Sequence, residues 1–361
     1  MENWLRLGMH RRHFLVGGVG ALAACTETPQ TPAPVVSEEQ HHWRMVTSWP
    51  PNFPGHGVSA NRLAARLEQL SGGRLQVEVY AAGELVPAFE VLDAVSRGTV
   101  QLGHSAPIYW RGSIPAAQIF GSVPFGMLAD QFNAWLYFGG GLELWREAYA
   151  GHGVIPFPAG NTGPNMGGWF NREINSPADL NGLKMRIPGL GGEVMQRAGA
   201  LPVNLPGSEL FTALQTGTLD ATEWVGPHND TAFGLHRAAR YYYHPGWQEP
   251  SGSIELFVSV DAFESLSEEL KGILEIVCMA ENDYLLAEFN SRNHTALNTL
   301  VREHGVQLRR FPDDVLDVLR GFSLEVVEEL AATDPMSGRI LESYRAFAED
   351  VSAWLRISEL S

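Results

Sequence analysis

Three motifs in the middle of the chain place charged residues among apolar and glycine-rich neighbours: residues 161–169 read NTGPNMGGW, residues 183–189 read LKMRIPG, and residues 218–227 read TLDATEWVGP. Arg186 stands between a methionine and an isoleucine, and Glu223 stands directly before Trp224. A buried charge must be paired, because an unpaired one costs several kcal/mol. We therefore expect both charges to belong to one ligand site.

A pattern repeated around these motifs indicates the fold. Residues 94–101 read AVSRGTVQ, and about 120 residues later residues 213–220 read ALQTGTLD. Each copy is typical of a helix end, a glycine at positive φ and the entry to a strand. Such a connection is common in α/β proteins, yet its doubling favours two lobes built alike. The prediction is a bilobal α/β fold with ligand in the cleft, near the carboxyl ends of strands.

Two helices extend this prediction towards the C-terminus. After the sequence SLSE at residues 265–268, one long helix is expected to run to about Arg302 and to cross both lobes. A last helix is predicted for about 334–357. Its apolar residues are spaced four, three, four and three apart, as in a coiled-coil seam that packs either on its own lobe or on a second subunit: Ile340, Tyr344, Phe347, Val351 and Trp354.

Composition narrows the class of protein. The chain has 361 residues, of which 45% are hydrophobic and 18% charged, as in a globular protein. Its net charge of -16 argues against nucleic acid or anionic lipid as a partner, but one pocket can still be locally positive. The sequence lacks the Gly-x-Ser-x-Gly, His-Glu-x-x-His and Cys-x-x-Cys motifs, which disfavours an exported enzyme.

The N-terminus has the pattern of an export signal. Residues 11–15 read RRHFL, whose paired arginines resemble a twin-arginine translocation signal. The apolar run that follows is shorter than the roughly 20 residues of a membrane-spanning helix. Residues 22–25 read LAAC, so Cys25 is either a lipidated residue or an ordinary cysteine near a cleavage site. We predict a signal at 1–24 and a flexible tether at 25–42. Cys278, in an apolar run, is predicted to be a core residue.

Taken together, the motifs GNTGxxMGGWF, LKMRIxGLGG and GTLDATEWVGP resemble those of the solute-binding proteins of tripartite ATP-independent periplasmic (TRAP) transporters. The chain is most similar to the branch that binds 2-oxo acids or lactate with a cation, from about Trp43 to the C-terminus. The resemblance implies one binding domain at 43–361. We expect its first lobe at about 43–152 plus about 225–265, and its second at about 153–224 plus most of 266–361.

The resemblance also implies how the ligand is held. Arg186 would bind the carboxylate through two parallel hydrogen bonds, with an internal salt bridge as the alternative. Tyr109 would wall the pocket, although an aromatic residue after a strand is often plain packing. Asn161 would bind the ligand's keto or hydroxyl oxygen, or else serve as a turn residue.

A cation, Na⁺ or Ca²⁺, is implied in the same site. Glu223, the main-chain carbonyl of Trp224 and Glu249 would be its ligands, since both ions prefer oxygen. Asn165 would contact cation and substrate, but it departs from the glutamine of the closest branch and is one methylene shorter. With Arg186, two glutamates and a monocarboxylate, Ca²⁺ would neutralise the site and Na⁺ would leave one negative charge.

These expectations define a periplasmic receptor, not an enzyme. It would capture a small monocarboxylate such as pyruvate, another 2-oxo acid or lactate, and deliver it to the TRAP permease. A ligand-sensing partner of a signalling receptor and an exported metal-dependent enzyme are the alternatives. The residues His228, Asn229 and Asp230 are interpreted as a polar loop cap. The resembling branch dimerises by exchanging a C-terminal tail, so we also expect a homodimer.

Overall fold

Two β-sheets form the framework of the computed structural model, which describes residues 39–358. The strands are β1 His41–Thr47, β2 Leu75–Tyr80, β3 Leu102–Ser105, β4 Val154–Asn161, β5 Gly168–Phe170, β6 Lys184–Arg186, β7 Leu201–Val203, β8 Ala221–Thr222, β9 Tyr241–His244, β10 Ser253–Ser259 and β11 Gln307–Arg310. The helices are α1 His56–Leu70, α2 Val91–Ser96, α3 Ala117–Gly121, α4 Ala129–Phe138, α5 Gly141–Ala150, α6 Gly189–Arg197, α7 Gly207–Gln215, α8 Pro227–Phe233, α9 Val260–Glu264, α10 Glu268–Arg302, α11 Asp313–Thr333 and α12 Pro335–Ser358. Short 3-10 helices occupy Pro107–Trp110, Pro177–Leu180 and Leu235–Arg237.

Each sheet is the centre of one lobe. The first lobe contains the sheet β2-β1-β3-β10-β4, in which β1 runs parallel to β2 and β3. The second lobe contains the sheet β11-β9-β5-β8-β6-β7, in which β6 runs parallel to β7 and β8. Gly98 and Gly217, which follow the helix end in the two copies of the repeated pattern, have φ angles of 69° and 74°. The positive φ predicted for both glycines is therefore confirmed.

The pairing of strands differs from the predicted division of the chain. β4, predicted in the second lobe, pairs with β10 in the first sheet, and β9, predicted in the first lobe, pairs with β5 and β11 in the second. The reason is that the chain crosses between the sheets three times: once through α10, and before that through two short segments, 162–167 and 245–252, which we call the crossovers. These crossovers run side by side, with hydrogen bonds from Thr162 N to Gly252 O (2.8 Å) and from Asn165 N to Glu249 O (3.0 Å).

The long helix predicted up to Arg302 is confirmed as α10. It begins after Ser267, whose hydroxyl accepts a hydrogen bond from Leu270 N, and it packs against β4 of the first lobe and α8 of the second. Cys278 lies on its buried side and is 1% exposed, as predicted for a core residue. The helix therefore connects the cores of both lobes.

The two ends of the described region bear on the predicted tether and on the predicted C-terminal helix. His41 and His42, predicted in the tether, instead begin β1, because their backbones pair with Leu75 and Gln76. Residues 25–38 of the predicted tether, including Cys25, and the export signal lie outside the described residues. In α12, Tyr344 packs inside the chain while Trp354 is 63% exposed. No helix within residues 39–358 is long and apolar enough to cross a membrane.

Candidate functional site

A small cavity of about 30 Å³ lies where the crossovers meet the two lobes. Five of the predicted site residues form part of its wall: Tyr109, Asn165, Arg186, Trp224 and Glu249. The first lobe and the crossovers contribute the rest of the wall, chiefly Trp49, His56, Ala106, Ile108, Thr162 and 252–254. The cavity thus collects residues from distant parts of the chain.

Arg186 ends β6 and is 1% exposed. Its Nη1 donates to Glu223 Oε1 at 2.5 Å and to the Glu223 carbonyl at 3.1 Å, and its Nε donates to Leu205 O. Its Nη2 has only a long contact of 3.4 Å with the Tyr109 hydroxyl, and its guanidinium lies over the Trp224 ring. Arg186 therefore makes the internal salt bridge and also lines the cavity, so its two interpretations are compatible.

Glu223 follows β8, pairs with Arg186 and is not among the residues that line the cavity. It is fully buried, and its Oε2 has no hydrogen-bond partner among the described residues. Burial raises the pKa of Glu223 well above its usual range, against the opposing charge of Arg186, and nearby Glu249 raises it further. An unpartnered carboxylate oxygen in this position is a strong acceptor for a cation or a proton.

Glu249 and Asn165 come from the two crossovers and hold each other. The Asn165 amide donates to Glu249 Oε2 at 2.5 Å, and the Thr162 hydroxyl donates to Asn165 Oδ1 at 2.8 Å. Burial raises the pKa of Glu249 to about 7, although Arg186 acts in the opposite direction. The second carboxylate of the site thus sits where the chain passes between the lobes.

Asn161, predicted to contact the ligand, does not line the cavity. Its Nδ2 donates to Ser251 Oγ at 2.9 Å, and its Oδ1 accepts from Gly163 N at 2.8 Å. Both ends of the amide therefore brace the start of one crossover against the other. This arrangement corresponds to the alternative interpretation of Asn161 as a turn residue, because its polar atoms are used within the chain.

The wall contributed by the first lobe is aromatic. Trp49 and His56 contact each other with ring centroids 4.4 Å apart, and Tyr109 lies 6.3 Å from Trp49. Burial lowers the pKa of His56 to about 3, so this imidazole is neutral at physiological pH. Trp49 and His56 were not predicted from the sequence. The signal available for them was their place after the carboxyl end of β1, between that strand and the first turn of α1.

The segment 228–230 is the start of α8 rather than a loop cap. Asp230 accepts hydrogen bonds from Trp169 Nε1 at 2.9 Å and from the Tyr242 hydroxyl at 2.7 Å. Asn229 accepts from Trp224 Nε1 at 3.2 Å. These side chains hold the segment that follows Glu223, and none of the three lines the cavity.

The residues around the cavity suit an alkali or alkaline-earth cation. No cluster of three or more His, Cys, Asp or Glu side chains suited to a metal occurs within residues 39–358. Instead, Glu249 and the free Oε2 of Glu223 offer hard carboxylate oxygens in a buried setting. Such donors match Na⁺ or Ca²⁺ better than Zn²⁺, which favours nitrogen and sulfur ligands.

Comparison with known proteins identifies the family of the chain. Residues 45–334 match the model of the family DctP, described as bacterial extracellular solute-binding protein, family 7. The chain belongs to this family. It is 42% identical over 341 residues to the monocarboxylate 2-oxoacid-binding periplasmic protein of Nostoc sp., covering 94% of this chain and 93% of that protein.

Solved structures of family members have the same fold. A TRAP solute-binding protein from Colwellia psychrerythraea, solved with calcium and pyruvate, is 40% identical with a TM-score of 0.86, covering 88% of this chain and 97% of that one. A protein from Pseudoalteromonas atlantica, with sodium and pyruvate, has the same identity, TM-score and coverage. One from Bordetella bronchiseptica, a dimer with calcium and picolinate, is 38% identical with a TM-score of 0.86, covering 88% and 95%. The predicted bilobal α/β fold is confirmed.

Proposed function

We propose that this chain is the receptor of a TRAP transporter and binds a small 2-oxo monocarboxylate such as pyruvate together with Ca²⁺ or Na⁺. The observation that carries the proposal is the position of Arg186, a buried guanidinium at the wall of a small cavity beside two buried carboxyl groups. Relatives with this fold were solved with pyruvate and either cation. The receptor would deliver the acid to the membrane permease.

Arg186 binds the carboxylate of the ligand in this proposal. Its Nη1 is held by Glu223, so Nη2, which makes only the 3.4 Å contact with Tyr109, is the donor left for the ligand. The salt bridge fixes the plane of the guanidinium before the ligand arrives, which reduces the entropy lost on binding. The neutral walls formed by Trp49, His56 and Tyr109 suit a compact organic acid.

The cation offsets the negative charge that the ligand adds. Glu249 and Glu223 would hold it, with the carbonyl of Trp224 as a further oxygen donor. Asn165 positions Glu249 and would offer its own oxygen only after its amide turns over. Without a cation, burial favours the protonated carboxyl groups. A bound cation would take the place of those protons and favour the carboxylate form.

Contacts between the lobes would stabilise the closed, ligand-bound state. Arg111 of the first lobe pairs with Glu193 of α6 at 2.9 Å, and Phe53 stacks on Phe233 of α8 with centroids 4.2 Å apart. Ligand bound at Arg186 adds contacts that exist only when the lobes meet. Binding energy therefore shifts the population towards closure, as a delivery receptor requires.

The proposal is tested by mass spectrometry of the ligand and metal retained through purification, followed by calorimetry with pyruvate and lactate. We expect saturable binding that weakens after chelation and recovery of the acid unchanged. Failure of every small monocarboxylate to bind would overturn the proposal, and turnover would favour the enzyme alternative. Loss of pyruvate uptake on deletion of the gene separates transport from sensing.

We also propose a homodimer formed through the distal part of α12. Ile340 is fully buried against its own chain, whereas Trp354 and Ile357 are 63% and 80% exposed. The apolar residues of α12 therefore extend beyond the part of the helix that packs against its own chain. Light scattering should give twice the monomer mass, and Trp354→Glu should give the monomer. A monomeric wild-type protein would overturn this part of the proposal.

Membrane tethering through Cys25 is proposed from the LAAC motif alone. We expect the exported protein to fractionate with membranes and the Cys25→Ser protein to be released in soluble form. Identical fractionation of the two proteins would contradict lipidation without affecting the binding proposal.

A further inference from the structure

A second cavity, of about 560 Å³, lies at one edge of the second lobe. It is formed by the 3-10 helix Leu235–Arg237, the residues leading into β9 and the turn between α10 and β11. We call it the His–Arg cavity after four lining residues, His236, Arg237, Arg240 and His304. It shares no lining residue with the cavity at Arg186.

The charges around the His–Arg cavity are of one sign. None of its lining residues is an aspartate or glutamate. Within residues 39–358, neither Arg237 nor Arg240 makes a salt bridge, unlike most arginines of the chain. Grouped cations repel each other, and in a protein with a net charge of -16 such a group is locally exceptional. A bound anion would remove the repulsion.

The two histidines add ring nitrogens to this cavity as possible hydrogen-bond donors. Their ring centroids are 4.4 Å apart with a tilt of 33°, and Nδ1 of His236 is buried without a hydrogen-bond partner in the described region. Burial lowers the pKa of His236, and the neighbouring His304 and Arg237 lower it further. Glu303 precedes His304 in the sequence, but its carboxylate accepts a hydrogen bond from the Thr299 hydroxyl of α10 at 3.4 Å.

We infer that the His–Arg cavity binds a small multivalent oxyanion of the phosphate or sulfate type. Guanidinium groups bind such oxyanions through paired, charge-assisted hydrogen bonds, and imidazoles supply further donors. The volume lies within the range of small-molecule sites. Two unpaired arginines favour a divalent anion over the monovalent acid proposed at Arg186, so the two sites would differ in the charge of their ligands.

Calorimetry with inorganic phosphate at constant ionic strength and pH 8, where phosphate is mainly divalent, tests this inference. We expect saturable binding to the wild-type protein, and binding weaker by about tenfold in Arg237→Gln and in Arg240→Gln, the usual effect of losing one charge-assisted hydrogen bond. Arg302→Gln is the matched control, since Arg302 is an exposed arginine near the end of α10 that does not line the cavity. It should change the affinity less than twofold.

Three further outcomes decide the inference. Sulfate, which stays divalent from pH 6 to pH 8, should compete with phosphate for the cavity, and His304→Asn should weaken the binding of both anions, because the cavity loses an imidazole donor. Pyruvate affinity should be the same in Arg240→Gln and wild type, which separates this site from the one at Arg186. No saturation in the wild type, or equal losses in Arg302→Gln and Arg240→Gln, would overturn the inference.

Discussion

Glu223 and Glu255 are two buried carboxyl groups, one in each lobe, with different surroundings. Both are fully buried, and each has an Oε2 without a partner in the described region. Glu223 pairs with Arg186, whereas Glu255 accepts one hydrogen bond, at 2.5 Å, from the neutral indole of Trp110. Burial raises the pKa of Glu255 to about 8. Burial alone therefore does not identify a binding site, since Glu255 is a neutral acid of the core.

The largest expected effect is that of replacing Arg186, because Arg186 is the charged partner that Glu223 has and Glu255 lacks. Arg186→Met should weaken pyruvate binding more than about 100-fold and destabilise the fold by about 3 kcal/mol, because it leaves Glu223 buried without its partner. Calorimetry and thermal denaturation measure the two effects. The double variant Arg186→Met with Glu223→Gln should recover stability but not binding. If Arg186→Met binds pyruvate within about threefold of wild type, a loss of binding free energy below ~0.7 kcal/mol, the anchoring role of Arg186 is refuted.

A matched pair of isosteric substitutions tests the contrast directly. Glu223→Gln should weaken cation-dependent pyruvate binding about tenfold to 100-fold, because a carboxylate beside the proposed cation is lost. Glu255→Gln removes a carboxyl group of equal burial and should leave binding within about twofold. Calcium and sodium titrations monitored by tryptophan fluorescence measure both. Equal effects in the two variants would mean that binding depends on general core packing and not on the charge of Glu223.

The difference between the two glutamates also marks how far the sequence could predict the site. Arg186 and Glu223 were predicted because each interrupts an apolar, glycine-rich motif. Glu255 interrupts an apolar strand in the same way, in the run SIELFV, yet it has no role at the cavity. The local sequence indicates that a charged side chain is buried, but the pairing of the strands determines which residue becomes its partner. The misplacement of β4 and β9 between the lobes has the same origin.

The parts of the site that could not be predicted depend on the crossovers. Asn165 and Glu249 are far apart in sequence and meet because two crossover segments pair along their backbones. Asn161 was expected at the ligand from its neighbourhood, but pairing of the same segments turns its amide towards Ser251. Helix lengths and the repeated connections were predictable, because they depend on local periodicity and on glycine conformation.

A smaller effect is expected on the pH dependence of stability. The folded-state pKa of Glu255, about 8, lies above the ordinary value of 4.5, so the folded protein holds one more proton than the unfolded chain between these values. Stability from this group is therefore complete below about pH 4.5 and falls as pH rises towards 8. Relative to Glu255→Gln, the wild type should lose about 2 kcal/mol between pH 6 and 7.5 in urea denaturation. Parallel curves for the two proteins would show that Glu255 ionises normally in the folded state.

The smallest expected effect concerns an exposed contact between the two lobes rather than the buried charges. Arg111 pairs with Glu193 across the lobes, with side chains that are 54% and 25% exposed. An exposed ion pair contributes at most about 1 kcal/mol, so Arg111→Gln should speed pyruvate release about threefold without altering the unfolding temperature. The control is Arg97→Gln, which breaks an exposed pair with Asp93 at the end of α2 of the first lobe. Stopped-flow release rates distinguish the two variants, because only the contact between lobes is lost on opening. Equal release rates in both variants would place the barrier to opening in the buried contacts around Arg186 instead.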